Sequence, residues 1–308
     1  MGKVAFVFPG QGAQKVGMGK DAHDASAEAR AVFAEADAAL GESLSGLCFE
    51  GPEDALQLTA NTQPAVLTTE IALLRALGEE PDVTAGHSLG EYAANVAART
   101  MSFADAVRLV RVRGTYMQEA VPVGVGAMAA IMGGDRQAIE RACAETPGRV
   151  SPVNYNCPGQ IVIAGEAAAV EAASKTISAL GAKAIPLKVS APFHSALMEP
   201  AEQRLAPHLA ATAMRDPAFP IYVNVDAASI TTAAAARDAL VRQVSRPVRW
   251  EESVEHMLAD GVTLFVEIGP GKVLSGLLAR IRKDAAKVNV QGPADLDAAR
   301  AAIRAARG

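Results

Sequence analysis

Short apolar runs alternate along this chain with longer stretches whose apolar residues recur at helical spacing, a pattern that predicts an α/β protein. Lys3 to Phe8 is a nearly continuous apolar run closed by Pro9-Gly10, as expected of a strand buried on both faces of a parallel sheet. Helical patterns follow at Ser26–Leu40, Glu53–Leu58 and Pro64–Leu77, then a strand at Val83 and a helix over Glu91–Ala98. A further helix runs from Ser102 to Met117, with Ser102 as cap and Asp105 completing a capping box.

From Val123 to His194 the rhythm changes. Strands are expected at Ala127–Met132, Val150–Tyr155, Gln160–Gly165 and Lys183–Val189, with helices at Asp135–Ala144 and Ala167–Leu180. The order β-α-β-β-α-β is the split-βαβ motif of ferredoxin-like folds. Residues 123–194 therefore read as a small subdomain inserted into a larger α/β subdomain made of residues 1–122 and 195–308. The larger part resumes with a helix at Met198–Met214, a strand at Ile221–Val225, helices at Ala233–Val244 and Trp250–Ala259, and a strand at Val262–Ile268. The helices Val273–Ile281 and Ala294–Arg307 end the chain.

Half of the 308 residues are apolar, a fifth are charged and the net charge is −5. That is the profile of a globular enzyme, and it argues against a nucleic-acid binder, which needs a basic surface. Cys48, Cys143 and Cys157 form no Cys-x-x-Cys pair, which suggests neither a disulfide framework nor a metal site and fits a reducing cytoplasm. No apolar run approaches membrane-spanning length, so neither a membrane nor a secretory route is expected.

The most informative local pattern is Gly86-His87-Ser88-Leu89-Gly90, between a strand and a helix. A pinched turn there would lift the Ser88 hydroxyl out as a nucleophile. Glycine-rich turns also contain serines without such a role, so the motif leaves both readings open. A nucleophilic serine needs a base. His23, His208 and His256 lie on helices among polar neighbours, and His87 sits inside the turn with its side chain directed away from that of Ser88. His194, where the insert returns to the larger part, is the best candidate by elimination. The candidate acids taken between Ser88 and His194, namely Asp135, Glu140, Glu145, Glu166 and Glu171, all fall inside the small subdomain, so a Ser-His pair oriented by an amide or a carbonyl is the more economical arrangement. An oxyanion would need two donors. The Leu89 N–H supplies one, and the Gly10-Gln11-Gly12 loop could supply the other.

On the helix Ser102–Met117, Phe103, Ala106, Val107, Val110, Gly114 and Met117 mark the inward face. At the helical repeat Arg113 lies about 60° from the centre of that face, Arg111 about 100° and Arg108 about 160°. A half-buried Arg113 asks either for an incoming carboxylate or phosphate or for an ion pair with an acid distant in sequence. Gly269-Pro270-Gly271-Lys272 is no phosphate loop, because Val266 and Val273 stand where glycine and serine or threonine are needed.

Six ordered segments resemble the malonyl-CoA:acyl carrier protein transacylases: Phe8 to Gln14, Gly86 to Glu91, Arg111-x-Arg113-Gly114, Asn154-x-Asn156-x-Pro158-Gly159-Gln160, Pro192-Phe193-His194-Ser195, and Glu267-x-Gly269-Pro270-Gly271. The resemblance implies an α/β-hydrolase-like large subdomain with a ferredoxin-like insert and the active site at the seam. It also implies ping-pong transfer of malonyl from malonyl-CoA to the phosphopantetheine thiol of acyl carrier protein for fatty acid synthesis, in the cytoplasm, with no cofactor or metal. By it Ser88 carries the malonyl group, His194 is the base, Gln11 and Leu89 give the oxyanion amides, and Arg113 holds the malonyl carboxylate. The Gln243 carbonyl would orient His194, Gln63 and Asn156 would line the pocket, and Phe193 would go with malonyl rather than methylmalonyl units. Ala93-Ala94-Asn95 and Arg99-Thr100 depart from the family, where small apolar residues and a glycine are commoner. An esterase would instead give His194 a carboxylate partner and leave Arg113 without a use, and a carrier-binding module would not need Ser88. Lys188, Lys272, Arg280, Arg282 and Lys283 are the basic candidates for a carrier dock.

Overall fold

The computed structural model describes residues 2–122, 124–187, 189 and 191–308. Among these residues ten strands form two sheets: β1 (Lys3–Phe8), β2 (Val83–Gly86), β3 (Gly126–Met132), β4 (Val150–Cys157), β5 (Gln160–Glu166), β6 (Lys183–Pro186), β7 (Ile221–Tyr222), β8 (Ser229–Ile230), β9 (Val262–Ile268) and β10 (Ala286–Val290). The larger sheet has the order β10-β9-β1-β2-β7-β8, parallel except for the β8 edge. Its central strand β1 is buried from Val4 onward, which is what the uninterrupted apolar run requires.

The second sheet is antiparallel with the order β4-β5-β3-β6. Numbered in chain order among its own four strands this is 2-3-1-4, the ferredoxin-like arrangement expected from the sequence. β4 is tied to the segment before the helix Trp250–Ala259 at Val248: Tyr155 N–H donates to the Val248 carbonyl at 2.9 Å, and Val248 N–H donates to that of Val153 at 2.8 Å. The molecule is thus a two-sheet α/β fold.

Several boundaries differ from expectation. The helix expected from Pro64 begins at Thr59 and runs to Leu77 with Pro64 inside it. Proline cannot donate to the carbonyl four residues back, and that Ala60 carbonyl accepts instead from Arg111 Nη1 at 2.8 Å. Ser102 does cap its helix, accepting from Asp105 N–H at 3.1 Å, but its hydroxyl also donates to the Asp105 carboxylate at 2.6 Å. Short helices at Lys20–Ala25 and Leu44–Glu50, and the strands β8 and β10, were not anticipated. The strand expected over Ile221–Val225 ends at Tyr222, that over Lys183–Val189 ends at Pro186, and the helix after Met198 ends at Ala211.

Two helices set the floor of the cleft beside β2. Thr59–Leu77 and Phe103–Glu119 pack so closely at Gly114 that a Cβ there would lie 2.6 Å from the Thr59 carbonyl oxygen. That approach brings Gln63 and Arg113 face to face.

Candidate active site

The turn after β2 is sharp. Ser88 has φ +52°, a left-handed conformation that costs a residue with a Cβ. The glycines on either side make it possible: a Cβ on Gly86 would lie 1.9 Å from the Gly90 carbonyl carbon, and one on Gly90 would lie 2.1 Å from the Phe8 oxygen. The Ser88 hydroxyl is thereby presented at the start of the helix Gly90–Ala97.

His194 reaches it from the segment that follows β6. Nδ1 of His194 lies 2.8 Å from the Gln243 backbone oxygen, and Nε2 lies 2.7 Å from Ser88 Oγ. A carbonyl can only accept, so Nδ1 carries the proton and Nε2 is free to accept from the serine. Burial, and then the neighbouring Arg113 cation, push the pKa of His194 down to about 3, so the ring is neutral. Four of the five acids that an esterase-like triad would draw on have other partners: Asp135 accepts from the Ala138 amide, Glu140 bonds Tyr155 and Arg136, Glu166 bonds the Arg149 amide, and Glu171 pairs with Lys175.

Arg113 is fully rather than half buried, at 1% exposure, whereas Arg108 on the far face is exposed. Its Nη1 donates to Gln63 Oε1 at 2.8 Å, and its Nη2 donates both to Gln243 Oε1 at 2.8 Å and to Ser88 Oγ at 3.1 Å. The Tyr92 ring lies 5.5 Å away, giving the cation an aromatic wall. Among the described residues no carboxylate makes an ion pair with it. The nearby buried Glu91 gives one oxygen to the Asn224 amide at 2.7 Å, and burial raises its pKa to about 7. The guanidinium is held by neutral amides with its charge unmatched by a salt bridge.

A cavity of about 660 Å³ opens over these groups, walled by Gln11, Gln63, Met117, Met128, Asn154 and Phe193 among others. Gln11 Nε2 donates to Thr59 Oγ1 at 3.2 Å, and the backbone N–H groups of Gln11 and Leu89 meet no acceptor among the described residues. Asn156 is not on the cavity wall as the resemblance implied. It sits behind, its Oδ1 accepting from His87 Nε2–H at 2.8 Å, while Asn154 is at the wall. His87 packs near Trp250.

Three contributions escaped the sequence reading: the Gln243 side chain on Arg113, Tyr92 beside it, and Asn224 on the elbow. Only Tyr92, adjacent to the elbow motif, lies where a motif search would look. Of the basic dock candidates, Lys188 lies outside the described residues, and Lys272, Arg282 and Lys283 are exposed. Arg280 is committed to the carbonyls of Pro158 and Gly159, at 3.2 and 3.3 Å.

The family described as acyl transferase domain matches residues 5–296. The chain belongs to that family. It is 53% identical over 288 residues to the malonyl CoA-acyl carrier protein transacylase of Escherichia coli K12, covering 91% of this chain and 93% of the relative. The corresponding protein of Bacillus subtilis strain 168 is 49% identical over 306 residues, covering 97% and 96%. Among solved structures, an acyl carrier protein S-malonyltransferase from Vibrio cholerae superposes with TM-score 0.94 at 48% identity, covering 96% of this chain and 99% of that one. A malonyl-transacylase in complex with its type II PKS acyl-carrier protein gives 0.95 at 46% identity, covering 97% and 99%. The resemblance drawn from six short segments of this acyl transferase therefore extends across nearly the whole chain.

Proposed function

We propose that this acyl transferase moves the malonyl group of malonyl-CoA onto the phosphopantetheine thiol of acyl carrier protein, through a malonyl ester on Ser88. The observation that carries the reading is the buried Arg113 guanidinium 3.1 Å from Ser88 Oγ, hydrogen-bonded among the described residues by neutral groups alone. A cation so placed asks for a carboxylate on the acyl group itself, which malonyl has and acetyl lacks.

The steps follow from the contacts. Neutral His194 takes the Ser88 proton as Oγ attacks the thioester carbonyl, and the Gln243 carbonyl stabilises the imidazolium through Nδ1–H. The peptide N–H groups of Gln11 and Leu89 receive the negative charge on the carbonyl oxygen. The tetrahedral intermediate expels coenzyme A as thiolate, and His194 returns the proton to it. The carrier thiol then gives its proton to His194 and attacks the ester; collapse releases malonyl-carrier protein and reprotonates Ser88. No step calls on a cofactor. Gln63 and Gln243 hold Arg113 in line with the malonyl carboxylate, and Phe193 limits room beside the acyl carbon.

We place the reaction at the seam between residues 1–122 with 195–308 and the insert 123–194. We read its product as an extender unit for fatty acid synthesis in the cytoplasm, which the coenzyme A substrate and the three unpaired buried cysteines support. No helix of the described residues is long and apolar enough to cross a membrane.

The test is intact-mass measurement after mixing with malonyl-CoA. A malonyl adduct that maps to Ser88 and is discharged by phosphopantetheinylated carrier protein is expected. Free malonate released without an adduct or carrier product would mean hydrolysis and overturn the reading.

A further inference from the structure

The strained peptide of Ser88 is gripped from outside the elbow by a side chain that no local motif contains. Asn224, two residues past β7, places Oδ1 2.7 Å from the Ser88 N–H and Nδ2 2.6 Å from the Gly86 carbonyl oxygen. Its own backbone N–H donates to Glu91 Oε2 at 2.7 Å, and its backbone carbonyl accepts from Arg249 N–H at 3.0 Å. Asn224 is fully buried. One amide therefore bridges the end of β2 and the first atom of the nucleophilic residue, and it is itself pinned from both sides.

We propose that Asn224 is a positioning residue for the nucleophile: its amide holds the Ser88 peptide in the left-handed conformation that aims Oγ at His194 and Arg113. The proposal rests on Ser88 being the acyl-bearing residue. The chemistry demands an amide. One neighbour is a donor and the other an acceptor, so the side chain must accept on one arm and donate on the other, over a span of three residues. A hydrophobic replacement would leave a buried N–H and a buried C=O unpaired, and an anion would face the Gly86 carbonyl with nothing to donate. A small rotation of this peptide is enough to matter, because catalysis by positioned groups is lost with misplacements of about an ångström.

The decisive variant is Asn224→Asp, which keeps the shape. An ionised aspartate accepts from Ser88 N–H but cannot donate to Gly86; a protonated one does both, with O–H in the place of N–H. The titratable groups that touch Asn224 are Glu91, which accepts from its backbone N–H, and Arg249, which donates its backbone N–H to the Asn224 carbonyl; Glu91 in turn feels Arg113 and Asp226, the latter paired with Arg242. Burial favours the neutral form of a carboxyl at this position, and falling pH populates it.

The experiment measures the rate of malonyl-Ser88 formation by quenched-flow mass spectrometry between pH 5 and pH 8, with melting temperature followed alongside. At pH 8 the variant is expected to acylate on the order of tenfold to a hundredfold more slowly than the unsubstituted protein, with the apparent affinity for malonyl-CoA changed by less than about threefold. The deficit should shrink as pH is lowered. A purely structural role would lower the melting temperature without a pH-dependent recovery of rate. A folded variant that acylates at the unsubstituted rate at pH 8, or whose deficit does not change with pH, overturns the proposal. Should the variant not fold, hydrogen exchange of the Ser88 amide in the unsubstituted protein decides: protection like that of β2 is expected, and exchange at the rate of an open turn refutes it. If the unsubstituted protein forms no Ser88 adduct, the underlying reading has failed, a result separate from either of these.

Discussion

Arg113 and His194 meet on one atom: Nη2 of the guanidinium lies 3.1 Å, and Nε2 of the imidazole 2.7 Å, from Ser88 Oγ. A permanent cation beside the base opposes imidazolium formation, and it is one cause of the low pKa of His194, after burial. A carboxylate bound to Arg113 would cancel that opposition. In the proposed mechanism substrate choice and base strength are two effects of one ion pair, and the acyl group that fits Arg113 is also the one that readies His194.

Arg113→Ala should therefore act on selectivity and on pH dependence together. Loss of a charged hydrogen bond worth about 1.5–3 kcal/mol lowers kcat/KM for malonyl-CoA roughly tenfold to a hundredfold. Acetyl-CoA, with no carboxylate to lose, should be used relatively better. Removal of the cation also raises the pKa of His194 from about 3 toward its ordinary value, so the acid limb of the rate profile moves to higher pH. Competition assays with the two thioesters across pH 4–8 check both. Unchanged malonyl preference would remove Arg113 from the carboxylate site.

Gln243→Glu tests the same cation from the other side. The Gln243 side chain accepts from Arg113 through Oε1 at 2.8 Å and donates through Nε2 to the Ser88 carbonyl at 2.9 Å. A glutamate there would give Arg113 an internal counterion and lose the donor to Ser88. Binding of malonyl-CoA should weaken by about tenfold or more, as expected when a substrate must displace a built-in ion pair. Steady-state KM and direct titration on a Ser88→Ala background measure it. Equal affinity would show that the carboxylate binds elsewhere.

How far the sequence revealed this site depends on the kind of interaction. Ser88 is legible because a strained turn needs two glycines at fixed spacing, and Arg113 because the helical repeat separates it from Arg108 and Arg111. His194 follows from having few rivals. Asn224 and the Gln243 side chain act over 136 and 130 residues, on Ser88 and Arg113 respectively, and no local pattern encodes such contacts. The same holds for secondary structure. Long periodic helices and the apolar β1 are plain in the chain, whereas the two-residue β8 and the half-buried edge strand β10 exist only by pairing with partners fixed elsewhere. Pro64 misleads for a physical reason: the carbonyl it orphans is satisfied by Arg111, from another helix.

The buried titrating groups make opposite contributions to stability. His194 has a folded pKa of about 3, below its unfolded value, so its contribution is full above pH 6.5 and is lost as pH falls toward 3. Glu91, raised to about 7, is protonated in the fold where the unfolded chain is ionised, so its contribution is lost as pH rises from 4.5 through 7. Glu91→Gln keeps an oxygen for the Asn224 amide and removes the titration. Its melting temperature should exceed that of the parent by more at pH 8 than at pH 5. A constant difference across that range would mean that Glu91 does not titrate there.

The Gly269-Pro270-Gly271 turn leads into a helix N-terminus, the usual place for a phosphate, yet this chain fills the place itself. The Glu267 carboxylate, 1% exposed, accepts from the amides of Leu274 at 2.9 Å and Ser275 at 2.8 Å, and from Asn289 Nδ2 at 2.8 Å. A carboxylate at a helix N-terminus satisfies free N–H groups and the helix dipole at once. Beside it Glu70, buried and without a hydrogen-bond partner among the described residues, is pushed well above the usual carboxylate range by burial and by the Glu267 charge. Glu267→Gln would turn a donor toward one of these amides and remove the charge. Unfolding free energy should drop by about 1–3 kcal/mol. Gly269 packs against Pro9, but no residue of the turn lines the cavity over Ser88, so the malonyl transfer rate per folded molecule should stay within about twofold. Denaturant melts and a transfer assay on the same preparation separate the two effects, and a fall in rate without a fall in stability would place Glu267 in the chemistry instead.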